Sequence, residues 1–274
     1  MNYYILYDKI IYIIFHRLEE IMNKPLNTDK LITIAILPSL WLLYFIFEII
    51  TGRVTDLYTL VLNLSLTLLF AFVGWIIYKI STISPNGYNN KVLFIIFSIT
   101  MLIDQGIKII IKYNFFNNYF EIIPKFLSFN PIINTEGSWL NARFNFNVSF
   151  PLLIFVNIVA LLIFLEVYRY LIHNGHKSFW IDMAFIFITV GALCSLIDKI
   201  FYGGSLDFIG ISDLFIADIK DIYINLGLLF FIMSTYKSEW LDDSTSFKDD
   251  LSTLKKFFRF VIKDLSSIIK KEKV

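Results

Sequence analysis

Charge, sulfur and imidazole are all scarce in this chain. Only 17% of its 274 residues are Asp, Glu, Lys or Arg; Cys194 is the one cysteine, and His16, His173 and His176 are the three histidines. A zinc centre needs three or four such donors converging on one point. His173-x-x-His176 offers two in a polar loop and reads as a pair of solvated side chains. No glycine-rich phosphate loop is present, nor a basic cluster that would track nucleic acid, nor a Ser, His and Asp set gathered on one face. Any chemistry performed here falls to carboxylates.

What the chain has in excess is apolar surface: 57% of its residues are hydrophobic, 18% are aromatic, and the mean hydropathy is +0.67. Such a chain has lipid as its main solvent. Crossing ~30 Å of hydrocarbon takes roughly 20 mostly apolar residues in a helix. Stretches 31–51, 57–80, 92–112, 150–171, 179–202 and 222–237 meet that length, which predicts an all-α polytopic bundle of about six transmembrane helices. The earlier run from Ile10 to Phe15 is flanked by Asp8, Lys9, His16 and Arg17 and is too short to span. It reads as an interfacial amphipathic helix and not as a signal peptide. The organisation expected is an extension over 1–90 with two extra spans, a four-helix core over 91–240, and a basic amphipathic tail over 241–274.

The formal net charge of +1 conceals an asymmetry. With six crossings both termini share a side, and on that side stand Lys9, Arg17, Lys24, Lys30, Lys79, Lys91, Arg169 and Lys177 together with the lysine-rich tail. Cytoplasmic loops carry the excess of Lys and Arg. The termini are therefore expected in the cytoplasm, with segments 113–149 and 203–221 facing outward.

Asp207 and Asp221 bracket a short loop between two apolar segments on that outward side. An ionisable group near hydrocarbon is costly and marks a functional site by default. Two aspartates held close cannot both ionise cheaply, so they share a proton and supply one acid and one base. The plainer alternative is a pair of loop aspartates that cap helices, as Asp221 could do before Ile222. Asp104 and Lys108 lie four apart on one helix face, as an intrahelical ion pair would, while Asp198 falls inside the fifth span beside Lys199. Glu48, Glu166 and Asp182 sit near predicted helix ends, where snorkelling to the interface suffices to explain them. Segment 113–149 is long and aromatic, and alternation from Phe126 to Ile133 fits short strands lying over the bilayer.

Four motifs, in order, resemble those of the bacterial lipoprotein signal peptidase (signal peptidase II) family. Asp104-Gln105-Gly106-Ile107-Lys108 is similar to its D-x-x-x-K. Asn134-Thr135-Glu136-Gly137-Ser138-Trp139 is similar to the N-x-G segment of its long outer loop, with one extra residue. Gly191-Ala192-Leu193-Cys194-Ser195-Leu196-Ile197-Asp198-Lys199 resembles G-A-x-G-N-x-x-D-R and leads to Ser205-Leu206-Asp207-Phe208-Ile209, similar to V-V-D-F-I. Asp218-Ile219-Lys220-Asp221 stands where the family has F-N-x-A-D, with Gly227 following. The chain departs from the pattern at Cys194 for Gly, Ser195 for Asn, Lys199 for Arg, Asp218 for Asn and Lys220 for Ala, and the two catalytic matches lie slightly closer together than usual.

The resemblance implies an aspartic endopeptidase with Asp207 and Asp221 as its catalytic pair. Asp104, Lys108, Asn134, Gly137, Asp198, Lys199 and Asp218 would bind substrate or support the site, with no metal or other cofactor. It further implies a small extracytoplasmic sheet and a prolipoprotein substrate cut before a diacylglyceryl cysteine at the outer face of the plasma membrane, with membrane lipids but no nucleic acid as partners. A transporter with its carboxylates along an ion path, or a non-catalytic membrane scaffold, are the competing expectations.

Overall fold

The computed structural model describes residues 27–136, 139–144, 148–238 and 247–271. The amphipathic segment expected at Ile10 to Phe15 and the motif residue Gly137 lie outside them. The helices are α1 (Thr28–Ile50), α2 (Leu57–Ile83), α3 (Asn90–Ile110, continued by one π turn to Phe115), α4 (Trp139–Phe144), α5 (Phe150–His173), α6 (Phe179–Phe201), α7 (Ile219–Lys237) and α8 (Phe247–Lys271). The strands are β1 (Phe120–Ile123), β2 (Leu127–Asn134), β3 (Ser205–Ile211) and β4 (Phe215–Ala217).

Helices α1, α2, α3 and α6 begin where an oxygen-bearing side chain satisfies an otherwise unpaired N–H: Asn27, Asp56, Asn89 and Ser178 accept from the third residue beyond them, whereas α5 starts with Pro151 in its first turn and no side-chain cap. Apolar runs then carry α1, α2, α3, α5 and α6 far enough to cross a membrane, at 23 to 27 residues each. The sixth expected segment is α7, whose 19 residues would reach ~28 Å. It is the shortest of the six, with Lys220 and Asp221 in its first turn and Lys237 at its end. Side chains such as Leu43, Leu68, Phe94, Leu102 and Phe155 remain exposed along these helices, as lipid contact requires.

The core sits where α6 runs between α7, α3 and α5, and it includes Val190, Cys194, Leu229 and Met233, each with no exposed surface. Close approach of α6 and α7 depends on Gly191 and Gly227. A Cβ on Gly227 would fall 2.7 Å from Ile188 Cγ1, and one on Gly191 2.7 Å from Ile224 Cγ1.

At one end of the bundle the strands form an antiparallel sheet in the order β1-β2-β3-β4. Segment 203–221, expected as a loop, supplies β3 and β4. Alternation turns Leu206 and Phe208 toward Ile111, making a small second core under the sheet, and Phe129 stands 6.2 Å from Phe208 and 5.1 Å from Phe120. At the other end α8 lies against α5: Arg169 meets Asp264 at 2.7 Å, and Tyr170 touches Phe257 and Phe260.

Three acids expected at the membrane interface are instead buried. Glu48 has no exposed surface and accepts from Arg53 at 3.2 Å. Asp182, equally buried, accepts from the Tyr168 hydroxyl at 2.9 Å and from the Tyr88 N–H at 2.8 Å, and Glu166 is 8% exposed. For Glu48 and Asp182 the partners come from beyond the helix that carries them, which offsets the cost of burial, while Glu166 has Arg169 of its own helix at 3.9 Å.

Candidate active site

The sheet end of the bundle gathers acids from four elements. Helix α3 contributes Asp104 and Lys108, one turn apart. The last turn of α6 contributes Asp198, after which Gly203, at φ +66, turns the chain into β3. Gly204 then passes against β2 so closely that a Cβ would lie 2.7 Å from the Asn134 carbonyl. That approach registers Asn134 opposite Ser205 and Ile132 opposite Asp207. Period-two geometry puts Ser205 and Asp207 on one face of the strand. Helix α7 opens with a reciprocal cap: Asp218 accepts from the Asp221 N–H at 3.3 Å, and Asp221 accepts from the Asp218 N–H at 3.1 Å.

Asp221, expected as the plain alternative to cap a helix before Ile222, stands instead at the third position of α7, where its Oδ2 completes the cap begun by Asp218. Asp207, Asp218 and Asp221 each offer one oxygen within 4.8 Å of the others. Two carboxylates at that separation can share one water molecule between them. Asp207 is held by the Ser205 hydroxyl, 2.5 Å from Oδ1, and by the Asn134 amide, 2.9 Å from Oδ2.

Two ammonium groups lie beneath this cluster. Lys108 Nζ meets Asp218 at 2.6 Å, Asp198 at 2.7 Å and Asp104 at 3.0 Å, with neither lysine nor partners exposed. Lys220 Nζ meets Asp218 at 2.5 Å, Asp198 at 3.3 Å and Asp207 at 3.6 Å, and it also donates to the Ser205 hydroxyl. Three carboxylate oxygens so placed would suit a cation by number, and Lys220 is the cation set among them. Breaking such a buried set by removing one charge is costly, because the remaining charges stay desolvated.

Burial pushes the Asp207 carboxyl above the usual range, and the nearby Asp218 adds to this, while Lys220 and the bonds from Ser205 and Asn134 oppose it. Asp218 goes the other way: burial alone would raise it, but Lys220 and Lys108 outweigh burial and hold it ionised. Asp218 is thus a fixed negative charge beside Asp207, and its repulsion is one of the forces that keep a proton on the neighbouring carboxyl.

Of the residues expected to support the site, Asp104, Lys108, Asn134, Asp198 and Asp218 join one network with Asp207 and Asp221. Lys199 does not: it donates to Ser195 Oγ at 2.5 Å on its own helix. Ser205 and Gln105 had no role assigned from sequence, although both lie inside the motifs. Gln105 donates to Asp104 at 2.9 Å, and Ser205 links Lys220 to Asp207. Its position two residues before Asp207 puts it on the same face once the segment is known to be a strand, and the sequence alone does not mark it.

A multi-span helical bundle with a carboxylate cluster under a small sheet at one end defines a polytopic membrane protein with a buried acidic site. The family profile described as signal peptidase (SPase) II matches residues 96–237, and the chain belongs to that family. It is accordingly a bacterial multi-pass membrane protease. A lipoprotein signal peptidase of Microcystis aeruginosa is 26% identical over 151 residues, covering 54% of this chain and 93% of that protein. One of Streptococcus thermophilus is 31% identical over 72 residues, covering 26% of this chain and 47% of that protein. Among solved structures, a bacterial membrane enzyme determined by the in meso method at 2.3 Å aligns over 59% of this chain and 98% of its own, with 22% identity and a TM-score of 0.44.

Proposed function

We propose that this protein is an aspartic endopeptidase that removes signal peptides from prolipoproteins, cutting before a diacylglyceryl cysteine, with Asp207 and Asp221 as the catalytic pair. The observation that carries this reading is the approach of the two carboxylates to within 4.8 Å at the sheet end of the bundle. In this reading the pair holds one proton. The ionised member takes a proton from a bound water as its oxygen attacks the scissile carbonyl, and the protonated member donates to the carbonyl oxygen. Collapse of the resulting gem-diol breaks the C–N bond, and the departing amine takes up a proton. Asn134, the last residue of β2 and fixed against Asp207, would meet the substrate backbone.

The excess of Lys and Arg at the opposite end supports an outward-facing site with cytoplasmic termini. Substrate would arrive laterally: each buried methylene contributes ~0.8 kcal/mol, so two acyl chains hold the scissile bond at membrane level. An ion path is disfavoured by α6 itself. Between Asp182 and Asp198 its buried positions are Met183, Ala184, Ile186, Val190, Gly191 and Cys194, an apolar stretch of ~24 Å.

The test is cleavage of a diacylated prolipoprotein peptide by purified protein in detergent, with products weighed by mass spectrometry. Wild type should release a peptide ending immediately before the lipidated cysteine. Asp207→Asn and Asp221→Asn should each abolish release while retaining the wild-type unfolding profile. Near-normal turnover by either folded variant defeats the pair.

A further inference from the structure

The N-terminal helices α1 and α2 lie outside residues 96–237, the span of the family match, yet they hold the tip of the hairpin that carries Asp207. The turn between β3 and β4 consists of Ser212, Asp213 and Leu214, and every one of the three is tied to this extension or its neighbours. Arg53, between α1 and α2, donates to the Asp213 carbonyl at 2.7 Å and to the Leu214 carbonyl at 2.6 Å. Asn63 of α2 has no exposed surface, and its amide lies 3.1 Å from the Ser212 hydroxyl. Ser212 is itself in the left-handed region at φ 48, and its N–H donates to the Phe126 carbonyl. Phe215, the first residue of β4, packs at 5.2 Å against Tyr44 and at 6.2 Å against Trp41, whose indole N–H donates to the Asn63 carbonyl.

The anchor of this set is Glu48, fully buried near the end of α1. The same Oε2 accepts from Arg53 at 3.2 Å and faces Arg143 of α4 at 3.9 Å; the Arg143 guanidinium stands 5.4 Å over the Phe47 ring. One carboxylate thereby orients two guanidiniums, one reaching the hairpin tip and one in the connection that follows Asn134. A guanidinium is suited to this, because its planar fork serves several acceptors at once.

A three-residue edge strand joined by a strained turn has little stability of its own. Asp207 lies on β3 only five residues before Ser212, the first residue of the turn, so displacement of the tip carries directly to its carboxylate. We propose that α1 and α2 act as an intramolecular clamp, in which Glu48 and Arg53, aided by Asn63, position the β3–β4 hairpin and hence Asp207 for catalysis. Arg53 is thus a positioning residue, and the proposal rests on the assignment of Asp207 made above.

The experiment compares full-length wild type, Arg53→Ala, Arg53→Lys and Asn63→Ala in detergent by amide hydrogen exchange and by peptide cleavage. In Arg53→Ala, exchange over residues 206–216 should accelerate about tenfold while α6 keeps its protection. The kcat should fall about tenfold with KM within roughly twofold of wild type, as misplacement of a catalytic group by remote change produces. Arg53→Lys should restore less than half of the loss, since an ammonium cannot serve two carbonyls and a carboxylate in one plane. Asn63→Ala, which leaves Glu48 paired, should show the same pattern more weakly and serves if Arg53→Ala does not fold. Unchanged hairpin exchange in the folded variants overturns the clamp, and so does faster exchange with unchanged kcat. Absence of cleavage by wild type would instead count against the protease assignment, while the exchange data still decide whether the extension holds the hairpin.

Discussion

Lys220 offers a quantitative test of how the carboxylate pair is tuned. Its ammonium lies 3.6 Å from Asp207, where two unit charges interact by about 4.6 kcal/mol at an effective dielectric of about 20. Asp218, within 4.8 Å of Asp207, opposes this by at least about 3.5 kcal/mol on the same basis. Lys220 and Asp218 together therefore favour the ionised form of Asp207 by at most about 1.1 kcal/mol, or about 0.8 of a pKa unit. Removing the ammonium alone, in Lys220→Met, leaves Asp218 ionised through its contact with Lys108. Asp207 then loses the whole attraction, which sets an upper bound of about 3.4 units on the rise. Removing both charges, in Asp218→Asn with Lys220→Ala, should raise it by less than about one unit. The sign is fixed: a cation stabilises the ionised carboxylate, so its loss raises the pKa, and the alkaline limb at which the shared proton leaves moves to higher pH. The assay is kcat/KM for the diacylated peptide across roughly pH 4 to 10. A single variant whose limb moves no further than that of the double variant, or moves downward, refutes the electrostatic account of this site.

Other consequences follow from the same geometry. Lys108→Leu leaves Asp198 and Asp218 with Lys220 as their ammonium partner and Asp104 with the Gln105 amide, and should cost about 3–5 kcal/mol, read as a lowered thermal unfolding midpoint in detergent. Ser205→Ala removes the hydroxyl 2.5 Å from Asp207; loss of a hydrogen bond to a charged group predicts a fall in kcat of about ten- to a hundredfold with KM little changed. Gly227→Val places side-chain carbons where a Cβ already lies 2.7 Å from Ile188 Cγ1 and 3.1 Å from its backbone N. It should destabilise by about 1–3 kcal/mol, whereas Gly106→Ala, whose Cβ meets nothing within 4 Å, should be neutral or stabilising by helix propensity, both measured by thermal unfolding.

The parts of this protein that were legible in sequence are those with a local cause. An apolar run of the right length becomes a helix because lipid leaves the backbone no other partner, and the ends of α1, α2, α5 and α6 fall within a few residues of the runs that foretold them. Strand β2 announced itself by alternation, whereas β3 did not, because its seven residues include Asp207 and Gly210 and its pairing partner lies far away in the chain. Burial of Glu48 and Asp182 was likewise hidden. Proximity to a helix end suggests water, and only the fold brings Arg53 against one and Tyr168 against the other. The site divides along the same line. Asp104 and Lys108 could be paired from their spacing alone, but Lys108 takes its other two carboxylates from α6 and from the cap of α7, which no period in the sequence connects. Asp218 and Lys220 stood out as departures from the family pattern, two opposite charges entering one turn together. In three dimensions they sit 2.5 Å apart, with Lys108 meeting the same Asp218 oxygen at 2.6 Å, so the two departures add a positive and a negative charge to the same buried network. A pair of opposite charges added beside Asp207 changes its acidity far less than either member would alone, because the attraction of Lys220 and the repulsion of Asp218 oppose each other.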